Sequence, residues 1–129
     1  NGVFYLTTDK KAGVCKSEDF EKVKNVEFAT QSGPMLLIDN LYHPSFKVNS
    51  QNFRYRNGVG ILPDGNILFA ITNTSITFYQ FATFFKRHGC KNALFLDGEI
   101  SEMYLPEKGM TATNKNFGAI IGVSERKSK

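Results

Sequence analysis

Four consecutive apolar residues, Ala93-Leu94-Phe95-Leu96, deliver a carboxylate, Asp97, into a tight polar turn, Gly98-Glu99-Ile100-Ser101. A carboxylate at the end of a buried strand is desolvated unless it is paired, which perturbs its protonation and suits it to acid–base work. Gly98 permits the sharp turn, and Ser101 can return a hydroxyl to the same place. Asp-Gly is also a common turn dipeptide, so a plain turn is the competing reading. The strongly apolar approach favours chemistry.

Two further polar clusters interrupt strand-like segments. In Thr30-Gln31-Ser32-Gly33-Pro34, Gly33 lets the backbone approach a ligand closely, and Gln31 and Ser32 offer donors suited to hydroxyl or phosphate oxygens. A simple turn before Pro34 explains the same residues. In Arg54-Tyr55-Arg56-Asn57-Gly58-Val59-Gly60, an arginine at a strand start can fork onto a carboxylate or a phosphate. The two glycines clear one sheet face for a ligand or a helix. An exposed arginine on a half-buried strand is the bland alternative.

Neither histidine supports a nucleophile–histidine–carboxylate arrangement. His88 falls in the last turn of a helix, where the helix dipole accounts for a cation, and His43 precedes Pro44 in a loop without acidic or cysteine neighbours. No nucleophile elbow is present. General acid–base work would therefore fall to carboxylates, the pattern of glycosyl chemistry. No spacing requires a metal or other cofactor, although Asp97 and Glu99 together with a phosphate could hold a divalent cation.

The elements that must position these residues can be read from periodicity and turn chemistry. Strands are expected over 3–7, 26–29 and 35–38, and a short helix over about 18–24 capped by Ser17. Residues 40–52 read as a polar loop. Segments 53–62 and 66–72 flank Pro63-Asp64-Gly65 and form a β-hairpin. The main helix spans about 78–88: Thr77 and Gln80 make a capping box, Ile76 can staple onto Phe81, and Gly89 ends it. Phe78, Phe81, Ala82 and Phe85 share one face. Residues 93–96, apolar throughout, suit a central strand covered on both faces, and two late strands are expected over 101–105 and 118–123. The fold class is α+β, with a mixed, largely antiparallel sheet, one main helix and one short helix.

Composition sets the outer bounds. The chain has 129 residues, one domain by size. Its 12 Phe and 5 Tyr promise a core of packed rings, while the lack of Trp excludes a tryptophan platform for sugars. The net charge of +4 sits partly in the tail from Glu125 to Lys129, and elsewhere basic residues are scattered, so nucleic acid is not an expected partner. No apolar run approaches the roughly 18 residues needed to span a membrane. Cys15 and Cys90 are expected as two buried thiols rather than a disulfide.

Taken in order, the segments QSGPMLLID, RNGVG, TSITFYQFATFFKRHGCKNALFLDGEIS and FGAIIGV resemble the phosphodiester glycosidase family over residues 28–123. The likeness is to its bacterial branch of uncharacterised exported proteins, related to the enzyme that uncovers mannose-6-phosphate. The resemblance implies hydrolysis of a sugar-1-phosphodiester of an envelope or exopolysaccharide glycan, in a periplasmic or extracellular protein. The family's motifs fall on Ser32-Gly33-Pro34, Arg56 followed by Asn57-Gly58, Thr77, and Leu96-Asp97-Gly98. On that basis Asp97, Arg56 and Ser101 are the expected catalytic set, with Arg56 holding the phosphodiester. Gln31, Ser32, Gly33, Asn57, Thr77, Gly98 and Glu99 are expected to contact substrate. Better-known members continue the last motif as DGGGS, and here Glu99 and Ile100 interrupt it. The family also carries an earlier Asn-Gly segment, so this chain reads as the C-terminal portion of such a domain. The alternative is a non-catalytic envelope module that binds glycans or phosphosugars through the same pocket.

Overall fold

The computed structural model describes residues 1–97, 101–111 and 120–127, with the backbone alone at Asp97. Its strands are β1 (Gly2–Thr7), β2 (Ala12–Lys16), β3 (Val26–Ser32), β4 (Met35–Ile38), β5 (Leu41–Tyr42), β6 (Asn57–Ile61), β7 (Ile67–Ile71) and β8 (Ala93–Asp97). They form a three-stranded sheet in the order β2-β1-β3 and a five-stranded sheet in the order β5-β4-β8-β6-β7. Every strand pairing in the two sheets is antiparallel. One α-helix, α1 (Phe78–Arg87), lies against the larger sheet.

The apolar run of β8 follows from this three-layer arrangement. Leu94 faces the small sheet, packing with Phe4, Val14, Met35 and Val59. Ala93 and Phe95 face the helix, packing with Leu36, Leu37, Phe81, Ala82, Phe85 and Cys90. Successive side chains of a strand point to opposite faces, so a strand with both faces covered must be apolar throughout. β4 is apolar for the same reason, with a register shift between Met35 and Leu37 where it pairs with β8.

The helix forms as its sequence dictates. Thr77 Oγ1 accepts from the Gln80 backbone N–H, and Gln80 Oε1 accepts from that of Thr77, closing the capping box. Ile76 packs against the cluster that contains Phe81, the contact expected of a hydrophobic staple. Gly89, at φ +85°, takes the left-handed conformation that ends the helix. The glycines of β6 clear the sheet for the helix and not for a ligand. A Cβ on Gly60 would lie 2.7 Å from Phe85, and one on Gly58 would lie 2.8 Å from the Leu94 carbonyl oxygen and 3.0 Å from Phe81.

Several expectations are corrected. The helix expected over 18–24 is a 3₁₀ helix, Ser17–Lys22, and Ser17 does not cap it: Lys16 precedes it with no side-chain cap. Ala12–Lys16, for which no strand is expected, turns back as β2 and pairs with β1. Within the loop expected over 40–52, Leu41 and Tyr42 add a short edge strand to β4. Residues 53–56 do not join β6 as a regular strand; Arg54 instead forms an isolated bridge with Ile76. The late strand expected over 101–105 is absent, its one pairing being a Leu105–Met110 bridge around a 3₁₀ turn, Pro106–Lys108. The strand expected over 118–123 is not formed at 120–123, and 118–119 lie outside the described residues. Both cysteines are free thiols, Cys90 buried and Cys15 half-buried, and burial raises the pKa of each.

Because the atom facing Gly58 is a main-chain oxygen of β8, it cannot swing aside. Gly58→Ala is expected to cost about 1–3 kcal/mol through overpacking, read as a lowered urea midpoint with an unchanged slope. A wild-type midpoint would show that β6 and β8 can separate without cost.

Candidate functional site

The end of β8 is where the two sheets are tied together. Ser32, the last residue of β3 in the small sheet, donates from Oγ to the Leu96 carbonyl oxygen at 2.6 Å. On the other side of β8, Asn57 at the start of β6 is the cross-strand partner of Asp97, just before a register shift. Asn57 Nδ2 donates to Ser101 Oγ at 2.9 Å, which places Ser101 beside the end of β8. Ser32, Asn57 and Ser101, all half-buried, therefore gather around the backbone of Asp97. Gly98 and Glu99 fall outside the described residues.

Gly33 packs against Asn1, where a Cβ would lie 2.3 Å from the Asn1 Oδ1, so its lack of a side chain serves close packing. Gln31 is not brought to the cluster. Its Nε2 donates to Ser17 Oγ at 3.0 Å, on the outer side of the small sheet. Alternation along β3 explains the difference, since neighbouring residues point to opposite faces. Thr77 is 2% exposed, and its hydroxyl is committed to the capping box.

Arg56 lies deepest of the expected site residues. It is 2% exposed, and Nε donates to the Ile76 carbonyl at 2.8 Å while Nη2 donates to the Asn52 carbonyl at 2.9 Å. Its guanidinium carbon sits 3.7 Å from the centroid of the Phe78 ring and 5.7 Å from that of Phe95. Phe46 stacks on Phe78 at 5.1 Å, and Phe95 meets Phe78 edge-on. Desolvation, and then the charge of Arg54, push the Arg56 pKa down, from a value so high that the group remains charged. No ion pair to Arg56 exists among the described residues. The main-chain carbonyls and the ring face stabilise its charge instead.

The loop before β6 contributes residues that sequence reasoning missed. Tyr42 stacks on Tyr79 at 4.5 Å, and its hydroxyl lies 3.0 Å from Thr83 Oγ1. These contacts, with the Phe46–Phe78 stack, fasten the loop to α1. Between loop and helix lies an open cavity of about 310 Å³, bordered by Pro34, Phe46, Lys47, Asn52 and Phe78. The signal was Tyr42 and Phe46, the two Phe or Tyr residues within 40–52, opposite Phe78 and Tyr79 in the first helical turn. Among the described residues, no three His, Cys, Asp or Glu side chains are placed to hold a metal ion. Among the described residues, no helix is long and apolar enough to cross a membrane.

A two-sheet scaffold with one covering helix is a known fold. The sequence model of the phosphodiester glycosidases matches residues 1–127, and the chain belongs to that family. It is 37% identical over 127 residues to the uncharacterised protein YigE of Escherichia coli strain K12, covering 98% of this chain and 49% of that protein. The chain thus spans about half the length of this relative. It also shares its fold with the zebrafish N-acetylglucosamine-1-phosphodiester alpha-N-acetylglucosaminidase catalytic domain auto-inhibited by its pro-peptide. That match has a TM-score of 0.56 and 20% identity, over 76% of this chain and 39% of the other.

Arg56→Lys keeps a charge but loses the planar fork and the ring stacking, so a loss of about 2 kcal/mol is expected in urea unfolding. Gln31→Ala, at an exposed position, is expected to change stability by less than about 0.5 kcal/mol. An Arg56→Lys protein as stable as wild type would show that the carbonyl and ring contacts are energetically empty.

Proposed function

We propose that the intact protein hydrolyses a sugar-1-phosphodiester at the end of β8. The observation that carries this reading is the convergence of Ser32, Asn57 and Ser101 on Asp97, from three chain segments, within a family of phosphodiester glycosidases. The chemistry suits a site with few carboxylates. Water adds to the anomeric carbon, the bond from that carbon to the phosphate oxygen breaks, and its electron pair leaves with the phosphate. The second ionisation of a phosphomonoester lies near pH ~6, so this leaving group needs little protonation. An ordinary glycosidase uses one carboxyl group to protonate its leaving oxygen and a second on the other face of the sugar. Here one carboxylate can suffice, with Asp97 taking the proton of the attacking water. Ser32, Asn57 and Ser101 would position Asp97 or the sugar hydroxyls.

The structural relative's name specifies an N-acetylglucosamine-1-phosphodiester, and a related sugar phosphodiester in an envelope or exopolysaccharide glycan, outside the cytoplasm, is the substrate class we propose. Arg56, whose Nε and Nη2 bond main-chain carbonyls, acts in this reading by holding the site together, not by gripping the phosphate alone.

The full-length protein should release free sugar from aryl or nucleotide sugar phosphodiesters, with the phosphate leaving as a monoester. Asp97→Asn should lower kcat by about 10²–10⁴, the usual contribution of a general base. Turnover within a few-fold of wild type in that variant would overturn the role of Asp97. Calorimetric binding of these compounds without any turnover by the wild type would decide for a non-catalytic glycan-binding module.

A further inference from the structure

We infer that the cavity between the 45–52 loop and the first turn of α1 receives the phosphate-bearing half of the substrate, the part that departs. This rests on the phosphodiester reading above and assigns a second subsite beside it. The cavity adjoins the cluster at the end of β8: Pro34 borders it and is two residues from Ser32, and the Pro34 carbonyl accepts from the Phe95 N–H at 3.2 Å. A molecule lying across Gly33-Pro34 would reach both places.

The lining selects an anion that carries hydroxyl groups. Among the described residues, Lys47 is the one lysine or arginine bordering the cavity, and no Asp or Glu borders it. Four other lysines, Lys10, Lys11, Lys16 and Lys22, are paired with carboxylates, whereas Lys47 has no ion pair among the described residues. Ser45, Ser50 and Asn52 supply hydroxyl and amide groups, and Phe46 with Phe78 forms an apolar wall. Behind that wall the Arg56 guanidinium lies 3.7 Å from the Phe78 ring centroid. A buried cation without a described carboxylate adds positive potential across the ring, where low dielectric strengthens it. The volume of about 310 Å³ is at the small end for ligand pockets and suits a single polyol phosphate.

A second cavity, of about 330 Å³ near Asn1 and His43, does not share this character. Its cation, Lys16, is already 3.5 Å from Glu18, which also borders it. The free charge thus lies on the side next to the cluster.

Titration calorimetry of the full-length protein with glycerol 3-phosphate, a hydroxyl-bearing phosphomonoester, tests the assignment. Binding should weaken at least about fivefold in Lys47→Ala, recover to within about twofold in Lys47→Arg, and stay within about twofold of wild type in Asp97→Asn. Glycerol should not bind measurably, and inorganic phosphate should bind more weakly than glycerol 3-phosphate. Lys47 is exposed, so its variants should fold normally. Equal affinity in wild type and Lys47→Ala, or equal loss in Lys47→Ala and Asp97→Asn, would overturn the subsite. Lys47-dependent binding without turnover of any sugar phosphodiester would sustain the subsite and sink the hydrolase reading. Turnover with neither probe binding nor KM altered in Lys47→Ala would do the reverse.

Discussion

The structure depends on one strand that must be dry on both faces. β8 has Leu94 against the small sheet and Ala93 and Phe95 against the helix, and all three are buried. Burying a large apolar side chain is worth about 1.5–3 kcal/mol, so neither face can be left to water without a heavy loss. That requirement places the small sheet on one side and α1 on the other. It also sets β4 and β6 as the neighbours of β8.

At the end of β8 the layers are tied together by polar contacts. Ser32 ties the small sheet to the Leu96 carbonyl, and Asn57 ties β6 to Ser101. Arg56 performs the same service one residue back, joining the Asn52 and Ile76 carbonyls beneath the ring of Phe78. A charge buried in this way is retained because Nε and Nη2 donate to main-chain carbonyls and its face is covered by an aromatic ring. The loop that carries Phe46 and Lys47 is held against α1 by stacked rings, so its cavity has at least one fixed wall.

The parts that were legible in the sequence are those governed by neighbours along the chain. The capping box at Thr77, the left-handed Gly89, the Pro63-Asp64-Gly65 hairpin and the central position of β8 all follow from local chemistry and periodicity. The late strands failed because β-pairing needs a partner. The apolar residues Ile120, Ile121 and Val123 are exposed here, and their pattern alone could not say which strand they would join. β2 was obscured by the polar turn before it, although its own side chains pack on the core through Val14.

For the site, the sequence determined the residue types and one placement: a carboxylate at the end of an apolar strand, because four apolar residues in a row can only be buried. Only the tertiary structure decided which polar residues gather at the end of that strand. Ser32 joins β8 from 64 residues away, while Gln31, its neighbour, turns to Ser17, because successive residues of a strand face opposite ways. The tertiary structure also decided where Arg56 lies. A guanidinium reads the same in sequence whether it faces solvent, a phosphate or a phenyl ring, and only the fold shows it buried beneath Phe78.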